Sequence, residues 1–370
     1  MPANALVFMY LASGANTLGT PTYRVDDLSA LLPSPHTSVA VDVADNGTIT
    51  GSFTDSTGRR KPFVLDAGGA LQFFDGGYYD DRIVRAGNAN GLIIGSLPGS
   101  TLGWVRISDE LRCIPSPFDC ESIQSLYTSS LPYDINDAGT FVGSLTIVES
   151  GQPYVFQGYR ASVGPDHTIS VTGLGQYQQR WDTTASAINE NEEIVGFAVM
   201  DRASADYQPV FLSQGEWLPL GDAGRYQTPI ALNQHGVVIG SKRTNDGYRE
   251  LPLRWSLHSP EQTAVPLPTL PSSISARPNG INAAGEIVGL SYDPDHPSAS
   301  QAWLLIGDDL FAIDDLVADN PGWRVLAAHA INSRGDIAAA ARWAGEAGAR
   351  AVVLRRQSDA GLFRHGFDVD

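Results

Sequence analysis

The chain has 370 residues and a formal net charge of −17, with 41 acidic side chains against 24 Lys and Arg. This balance argues against a general binder of nucleic acid or anionic membranes, whose binding face would be basic. No apolar run approaches the roughly 20 residues of a membrane-spanning helix.

The N-terminal region, residues 1–31, reads as two strands without a preceding hairpin. The first is the apolar run from Ala5 to Ala12, and the second lies around Tyr23 to Leu28. The first run could also be the remnant of a signal peptide, although it lacks the basic residues that normally precede such a run. We favour the reading in which the N-terminal strands close a ring by pairing with the last repeat.

One short pattern recurs along the rest of the chain, and its clearest copy runs from Ile135 to Gly143. The copies are spaced by roughly 44 to 53 residues, which is the period of propeller blades. In each copy an Asn, or the residue in its place, precedes a turn residue by three positions. These turn residues are Gly47, Gly91, Gly139, Glu192, Gly236, Gly285 and Gly335.

The local chemistry of this pattern predicts a β-hairpin. Asn can hydrogen-bond its own backbone two residues on, and Gly at the fourth position suits a turn that needs a positive φ. An apolar pair follows, and then a second glycine, which we interpret as a point of close packing between neighbouring blades. These second glycines are Gly51, Gly95, Gly143, Gly196, Gly240 and Gly289, with Ala339 in the last copy.

Each hairpin is followed by an apolar stretch that carries an aromatic residue and then by a weaker fourth strand. Examples of the third strand lie around Phe63, Trp104, Trp255 and Trp303. Seven repeats of four antiparallel strands predict an all-β, seven-bladed β-propeller. We expect one domain over residues 1–370, with residues 1–31 as closing strands and residues 356–370 as a polar tail that can fray.

The repeat resembles that of the bacterial HAF-repeat proteins, a family of probable extracellular repeats. The resemblance rests on Ile-Asn-x-x-Gly-x-Ile-Val-Gly followed by an aromatic strand, and it covers about Tyr23 to Leu354. The His-Ala-Phe triplet of the family is replaced, for example by Gln301-Ala302-Trp303. The family implies an exported propeller, extracellular or periplasmic, and it implies no reaction.

The two cysteines, Cys113 and Cys120, are separated by six residues that include two prolines. We interpret them as a local disulfide, which fits an oxidising compartment, and the alternative is two free thiols. A structural zinc site needs four ligands and no other cysteine exists, so we expect no metal. The chain lacks the sequence motifs of nucleotide and dinucleotide sites, and we expect no cofactor.

The candidate site comes from the position three residues before each repeat Asn. Its occupants vary in chemistry while their neighbours are mostly apolar or small: Val41, Arg85, Tyr133, Ser186, Ile230, Asn279 and His329. Because the first strand of a blade usually lines the central channel, we expect this column to face it. Arginines and aromatics cluster in the loops that feed these strands. The predicted binding residues are Tyr78, Tyr79, Arg82, Arg85, Tyr133, Arg180, Trp181, Arg225, Tyr226, Arg277, Trp323, Arg324 and His329.

Arginine offers a planar fork for carboxylate or sulfate groups, and Trp and Tyr offer flat faces for sugar rings. The alternative is that these arginines form ordinary loop salt bridges with Asp80, Asp81 and Asp182. We therefore expect a binding propeller for a carbohydrate, a small anionic ligand or a protein partner. The other hypothesis is a lyase or another enzyme acting on an acidic polysaccharide, with Arg85, Arg180 or Arg277 neutralising a uronate and Tyr133 or His329 serving as base or acid.

Overall fold

The computed structural model describes residues 20–33, 37–73, 83–97, 102–108, 110–114, 129–147, 155–259, 263–320 and 322–357. Within these ranges the chain forms seven antiparallel sheets, and each sheet has a path of four strands. The prediction of an all-β, seven-bladed propeller is therefore confirmed. No helix of the described residues is long and apolar enough to cross a membrane.

The first four blades follow chain order, after a closing strand β1 (Thr22–Asp27). Blade 1 contains β2 (Ser38–Val43), β3 (Ile49–Thr54), β4 (Arg60–Leu65) and β5 (Leu71–Phe73). Blade 2 contains β6 (Ile83–Gly87), β7 (Ile93–Ser96), β8 (Gly103–Ile107) and β9 (Glu110–Ile114). Blade 3 contains β10 (Ser130–Ile135), β11 (Thr140–Ile147), β12 (Val155–Val163) and β13 (Ile169–Gly173). Blade 4 contains β14 (Thr183–Ile188), β15 (Ile194–Asp201), β16 (Asp206–Ser213) and β17 (Glu216–Pro219), with β18 (Gly224–Arg225) added to β16.

The last three blades repeat this arrangement. Blade 5 contains β19 (Thr228–Leu232), β20 (Val237–Arg243), β21 (Glu250–Ser256) and β22 (Val265–Pro266). Blade 6 contains β23 (Ser275–Ile281), β24 (Ile287–Asp293), β25 (His296–Ile306) and β26 (Asp309–Ala312). Blade 7 contains β27 (Trp323–Ile331), β28 (Ile337–Trp343) and β29 (Arg350–Gln357). Short 3₁₀ helices span Leu28–Leu31 and Ile313–Leu316.

The ring is closed by β1, which pairs antiparallel with β29 and so supplies the fourth strand of blade 7. Tyr23 is fully buried there, as the closing-strand prediction requires. The predicted tail boundary is wrong by two residues, because Arg356 and Gln357 belong to β29 and pair with Tyr23 and Thr22. The run from Ala5 to Ala12 and residues 358–370 lie outside the described residues, and the single-domain assignment stays a prediction.

The repeat Asn organises its own turn and also joins the blades. In blade 5, the Asn233 Oδ1 accepts the backbone N–H groups of His235 and Val237, both at 3.0 Å. Its Nδ2 donates to the Asn282 carbonyl in the next blade at 3.0 Å. The turn residues have positive φ as predicted, including Glu192 at 60°. Equivalent bonds between blades run from Asn88, Asn136, Asn189, Asn233, Asn282 and Asn332.

The second glycine packs within its own blade, so the prediction that it marks contact between blades is wrong. A Cβ on Gly143 would lie 2.0 Å from the Leu131 carbonyl oxygen of β10 and 2.7 Å from the Tyr159 ring of β12. Both neighbours belong to blade 3. The glycine therefore makes room for the first strand on one side and for the aromatic third strand on the other.

Candidate functional site

The first strands of successive blades contact one another around the whole ring, and β27 contacts β2. Each first strand runs toward the Asn hairpins, which we call the turn mouth of the channel. The opposite end, called here the loop mouth, carries the loops that enter the first strands and those that join second and third strands. This geometry follows from antiparallel pairing in chain order.

Each first strand has a β-bulge, and the variable column identified in the sequence is the extra residue of that bulge. In blade 3 the register shifts between Pro132 and Asp134, which leaves Tyr133 without a partner on β11. The same shift leaves out Val41, Arg85, Ser186, Ile230, Asn279 and His329. A bulge re-aims a side chain and interrupts the ladder.

All seven bulge residues keep some exposure, whereas the residue before each of them is buried. The buried neighbours are Ala40, Val84, Pro132, Ala185, Pro229, Pro278 and Ala328. Because the first strands surround the channel, exposure in the middle of these strands indicates that the bulge side chains meet channel solvent. Arg85 is the most exposed member of the column, whereas Val41 packs against the core and the Ser186 hydroxyl and Asn279 amide donate to the Val195 and Ala328 carbonyls.

Several predicted arginines lie on aromatic rings. The guanidinium carbon of Arg85 is 6.0 Å from the centroid of Tyr133 in the next blade. That of Arg180 is 4.3 Å from the Trp181 ring. Within the described residues neither arginine forms an ion pair. Asp182, one of the acids suggested as a partner, instead pairs with Arg202.

The pair Arg225 and Tyr226 lies at the loop mouth between blades 4 and 5. The Arg225 guanidinium carbon is 5.9 Å from the Tyr226 centroid, and its Nη1 donates to the Ser204 carbonyl at 3.4 Å. Arg243, which the sequence reasoning missed, lies 5.0 Å from the same centroid. The sequence did contain a clue to the position of Arg243. It follows the second glycine of blade 5, and the second strand of each blade runs back to the loop mouth after that glycine.

Trp323 and Arg324 take separate roles. Trp323 packs edge-on against Trp343, with centroids 5.0 Å apart, and under Arg350 at 5.7 Å. Arg324 donates to the Ala299 carbonyl at 3.4 Å instead of joining this group. Tyr78, Tyr79 and Arg82 lie outside the described residues, and so do Asp80 and Asp81.

Arg277 forms an ion pair with Glu250, with 4.0 Å between Nε and Oε1, and its charge also acts on His329. Burial, followed by the charge of Arg277, lowers the pKa of His329 to about 4. His329 is therefore neutral at neutral pH and can accept a proton. Tyr133 lies on blade 3 and His329 on blade 7, which are as far apart in a seven-bladed ring as two blades can be. The two residues therefore do not share an arginine: Arg85 lies near Tyr133, and Arg277 acts on His329.

Two carboxylates, on Asp42 and Asp134, follow the bulges of blades 1 and 3 and bridge to the next blade. Asp134 accepts the N–H groups of Ile135 and of Ile188 in blade 4, both at 2.9 Å. Asp42 likewise accepts from Val43 at 2.8 Å and from Gly87 in blade 2 at 3.3 Å. Burial is the main cause that raises the pKa of Asp42 to about 6 and that of Asp134 to about 7.

The structure says less about the predicted disulfide and about metal binding. Cys113 is buried on β9, and Cys120 lies outside the described residues, so their disulfide stays a prediction. Among the residues that the structure describes, no group of three or more His, Cys, Asp or Glu is placed to hold a metal ion.

No protein-family model and no curated protein matches the chain. Among solved structures it is similar to a puromycin hydrolase, at 13% identity and a TM-score of 0.54, over 93% of this chain and 56% of that one. It is also similar to a puromycin-hydrolysing peptidase of Mycobacterium tuberculosis, at 10% identity and a TM-score of 0.52, over 92% of this chain and 55% of that one. The chain spans about half the length of these two enzymes. At such low identity the likeness shows the propeller fold alone.

Proposed function

We propose that the chain is a binding propeller that recognises a carbohydrate or another ligand with anionic groups at the loop mouth. The observation that carries the proposal is the placement of Arg85, Arg180 and Arg225 on aromatic rings, without ion pairs in the described part of the chain. A guanidinium that stacks on a ring keeps its donor fork available for a carboxylate or sulfate. The neighbouring rings offer faces for a sugar.

Unpaired arginines matter more here because the protein as a whole is strongly negative. A chain with a net charge of −17 repels polyanions in general. An anionic ligand would therefore need a local group of unpaired arginines. Some arginines away from this mouth are neutralised instead, as Arg160 is by Glu192 near the turn mouth.

The test measures binding of immobilised acidic polysaccharides, such as polygalacturonate and alginate, with a neutral glucan for comparison. We expect wild-type protein to bind an acidic polymer, and Arg85→Ala and Arg180→Ala each to weaken binding about tenfold. Arg160→Ala removes an exposed arginine at the other mouth and is expected to bind as wild type does. If the folded protein binds no polymer, or if all four proteins bind equally, the proposal is wrong.

A second candidate, an elimination reaction on a uronate, is favoured by the neutral His329 beside Arg277. Arg277 would neutralise the carboxylate while His329 removes the adjacent carbon-bound proton, the glycosidic C–O bond breaks, and the leaving oxygen takes a proton from solvent. The unsaturated product absorbs in the ultraviolet. This candidate is rejected if no absorbance develops with any uronate polymer.

We also propose that the protein is exported and that it belongs to the HAF-repeat family. Both rest on the repeat pattern, and the predicted pairing of Cys113 with Cys120 supports export. Mass spectrometry of a digest made without reductant would detect the linked peptides, whereas alkylation of both thiols would remove this support.

A further inference from the structure

A group of three aromatic rings and two arginines lies where blades 4 and 5 meet at the loop mouth. We call Phe197, Tyr207, Arg225, Tyr226 and Arg243 the blade 4–5 patch. Tyr207 stacks on Phe197 with centroids 5.0 Å apart and an interplanar angle of 11°. Tyr226 meets Tyr207 edge-on at 5.3 Å. The three rings form one continuous partly exposed surface.

The backbone holds Tyr226 in place through an added strand. The two residues of β18 pair with Asp206 and Tyr207 at the start of β16. Tyr226 then adopts a φ of 46°, and its N–H donates to the carbonyl of Ala205, which has a φ of 57°. Left-handed conformations are costly for residues other than glycine and concentrate at binding sites.

The two arginines of the patch have no direct ion-pair partner among the described residues. Arg225 and Arg243 lie 5.9 Å and 5.0 Å from the same Tyr226 centroid. Asp206 and Glu250 are the cross-strand neighbours of Arg225 and Arg243, but neither carboxylate lies within ion-pair distance of its neighbouring arginine. The Arg225 Nε is buried without a hydrogen-bond partner.

Two like charges held on one ring repel each other unless an anion lies between or beside them. A buried guanidinium N–H without an acceptor carries a further cost. An oxyanion that accepts hydrogen bonds from the two arginines removes the repulsion, while the solvent-inaccessible Arg225 Nε stays without an acceptor.

We propose that the blade 4–5 patch is an oxyanion subsite, in which Arg225 and Arg243 bind a carboxylate, sulfate or phosphate group of the ligand beside the Tyr226 ring. For its biological ligand this inference rests on the proposed function. It adds Arg243 as a binding residue and locates an anionic group of the ligand at the rim between blades 4 and 5.

The test uses small anions at constant ionic strength. The thermal unfolding midpoint is followed while chloride is replaced by sulfate, phosphate or galacturonate. Sulfate and phosphate stabilise most proteins by exclusion from the surface, so matched variants are needed. Arg243→Ala removes an exposed side chain of the patch, and Arg254→Ala removes an exposed arginine on β21 of the same blade.

We expect wild type and Arg254→Ala to show a saturating rise with at least one anion, and Arg243→Ala to require about tenfold more of it. The anion that acts at lowest concentration identifies the preferred group. Arg243→Lys keeps the charge but not the fork, and we expect it to fall between the two.

Equal responses of wild type and Arg243→Ala would overturn the proposal, because the effect would then be a general salt effect. Loss of the response in Arg85→Ala instead would also overturn it, because the anion would then bind in the channel. Failure of polysaccharide binding leaves this small-anion result intact, so the two proposals fail separately.

Discussion

Asp42 and Asp134 link individual titrations to the stability of the ring. The folded state raises their pKa values to about 6 and about 7 from an ordinary value of 3.8. The folded protein therefore holds protons that the unfolded chain loses, and stability rises as pH falls from 8 toward 6. His329 acts in the opposite sense, because its pKa falls to about 4 from 6.5. The unfolded chain then binds the extra proton, and the contribution of His329 to stability is lost as pH falls through 6 toward 4.

We therefore expect stability to fall from pH 6 to pH 8, with a slope that depends on the two aspartates, whereas below pH 6 the loss at His329 offsets part of their contribution. Asp134→Asn should flatten this slope in denaturant unfolding measured across the pH range. Asp55→Asn is the control, because a hydrogen bond from Thr57 lowers the pKa of Asp55 to about 2, outside the window. If Asp134→Asn keeps the wild-type slope, this assignment is wrong.

At the scale of residues, the sequence identified the bulge column because its chemistry varies among regular neighbours. It could not show that Arg85 lies on Tyr133, since 48 residues separate them and the contact joins two blades. It also missed the amide donor of the repeat Asn. Turn chemistry alone explains Asn in this place, and the bond to the next blade exists only when the ring has formed.

At the scale of the strand, the bulge and the second glycine depend on each other for packing. The bulge brings the carbonyl of the first strand over the second strand, so that a Cβ on Gly240 would lie 2.2 Å from the Thr228 oxygen and 2.9 Å from the Trp255 ring. Blade 7 carries Ala339 instead, and β27 there has an additional register shift between Val325 and Ala327. The sequence showed the glycine but not its neighbours, because pairing register is a property of the folded sheet.

Gly240→Ala is expected to destabilise the protein by about 3 kcal/mol, because the obstructing atoms belong to backbone and to a buried Trp. Gly285→Ala is the matched control. Its φ is 81° but nothing lies within 4 Å of the added Cβ, so we expect a cost of about 1 kcal/mol. Denaturant unfolding measures both, and equal costs would show that crowding at the bulge is unimportant.

At the scale of the whole molecule, six Asn side chains donate in one direction around the ring, from each blade to the next. Blade 1 has Ala44 in this place, and Asn46 there donates to the Ala89 carbonyl at 2.8 Å instead. The strand count and the blade order could be predicted from the repeat alone. The loops with the most variable sequence could not, and these carry much of the candidate site.

Removing one of these Asn side chains should destabilise the protein. Asn233→Ala deletes the two turn bonds and the bond to blade 6, and we expect a loss of about 3 kcal/mol, since these groups are buried. Gln234→Ala, at the exposed neighbouring position, should change stability by less than about 0.5 kcal/mol. Thermal and denaturant unfolding would measure both variants, and equal stabilities would contradict this expectation.

The pairing of β1 with β29 also sets an order of events during biosynthesis. β1 leaves the ribosome more than 300 residues before its partner β29 does. At a synthesis rate of about 5–20 residues per second, β1 waits on the order of tens of seconds with its hydrogen-bonding edge open. The ring therefore cannot close before β29 has been synthesised, and a chain truncated before β29 would leave β1 without its partner strand.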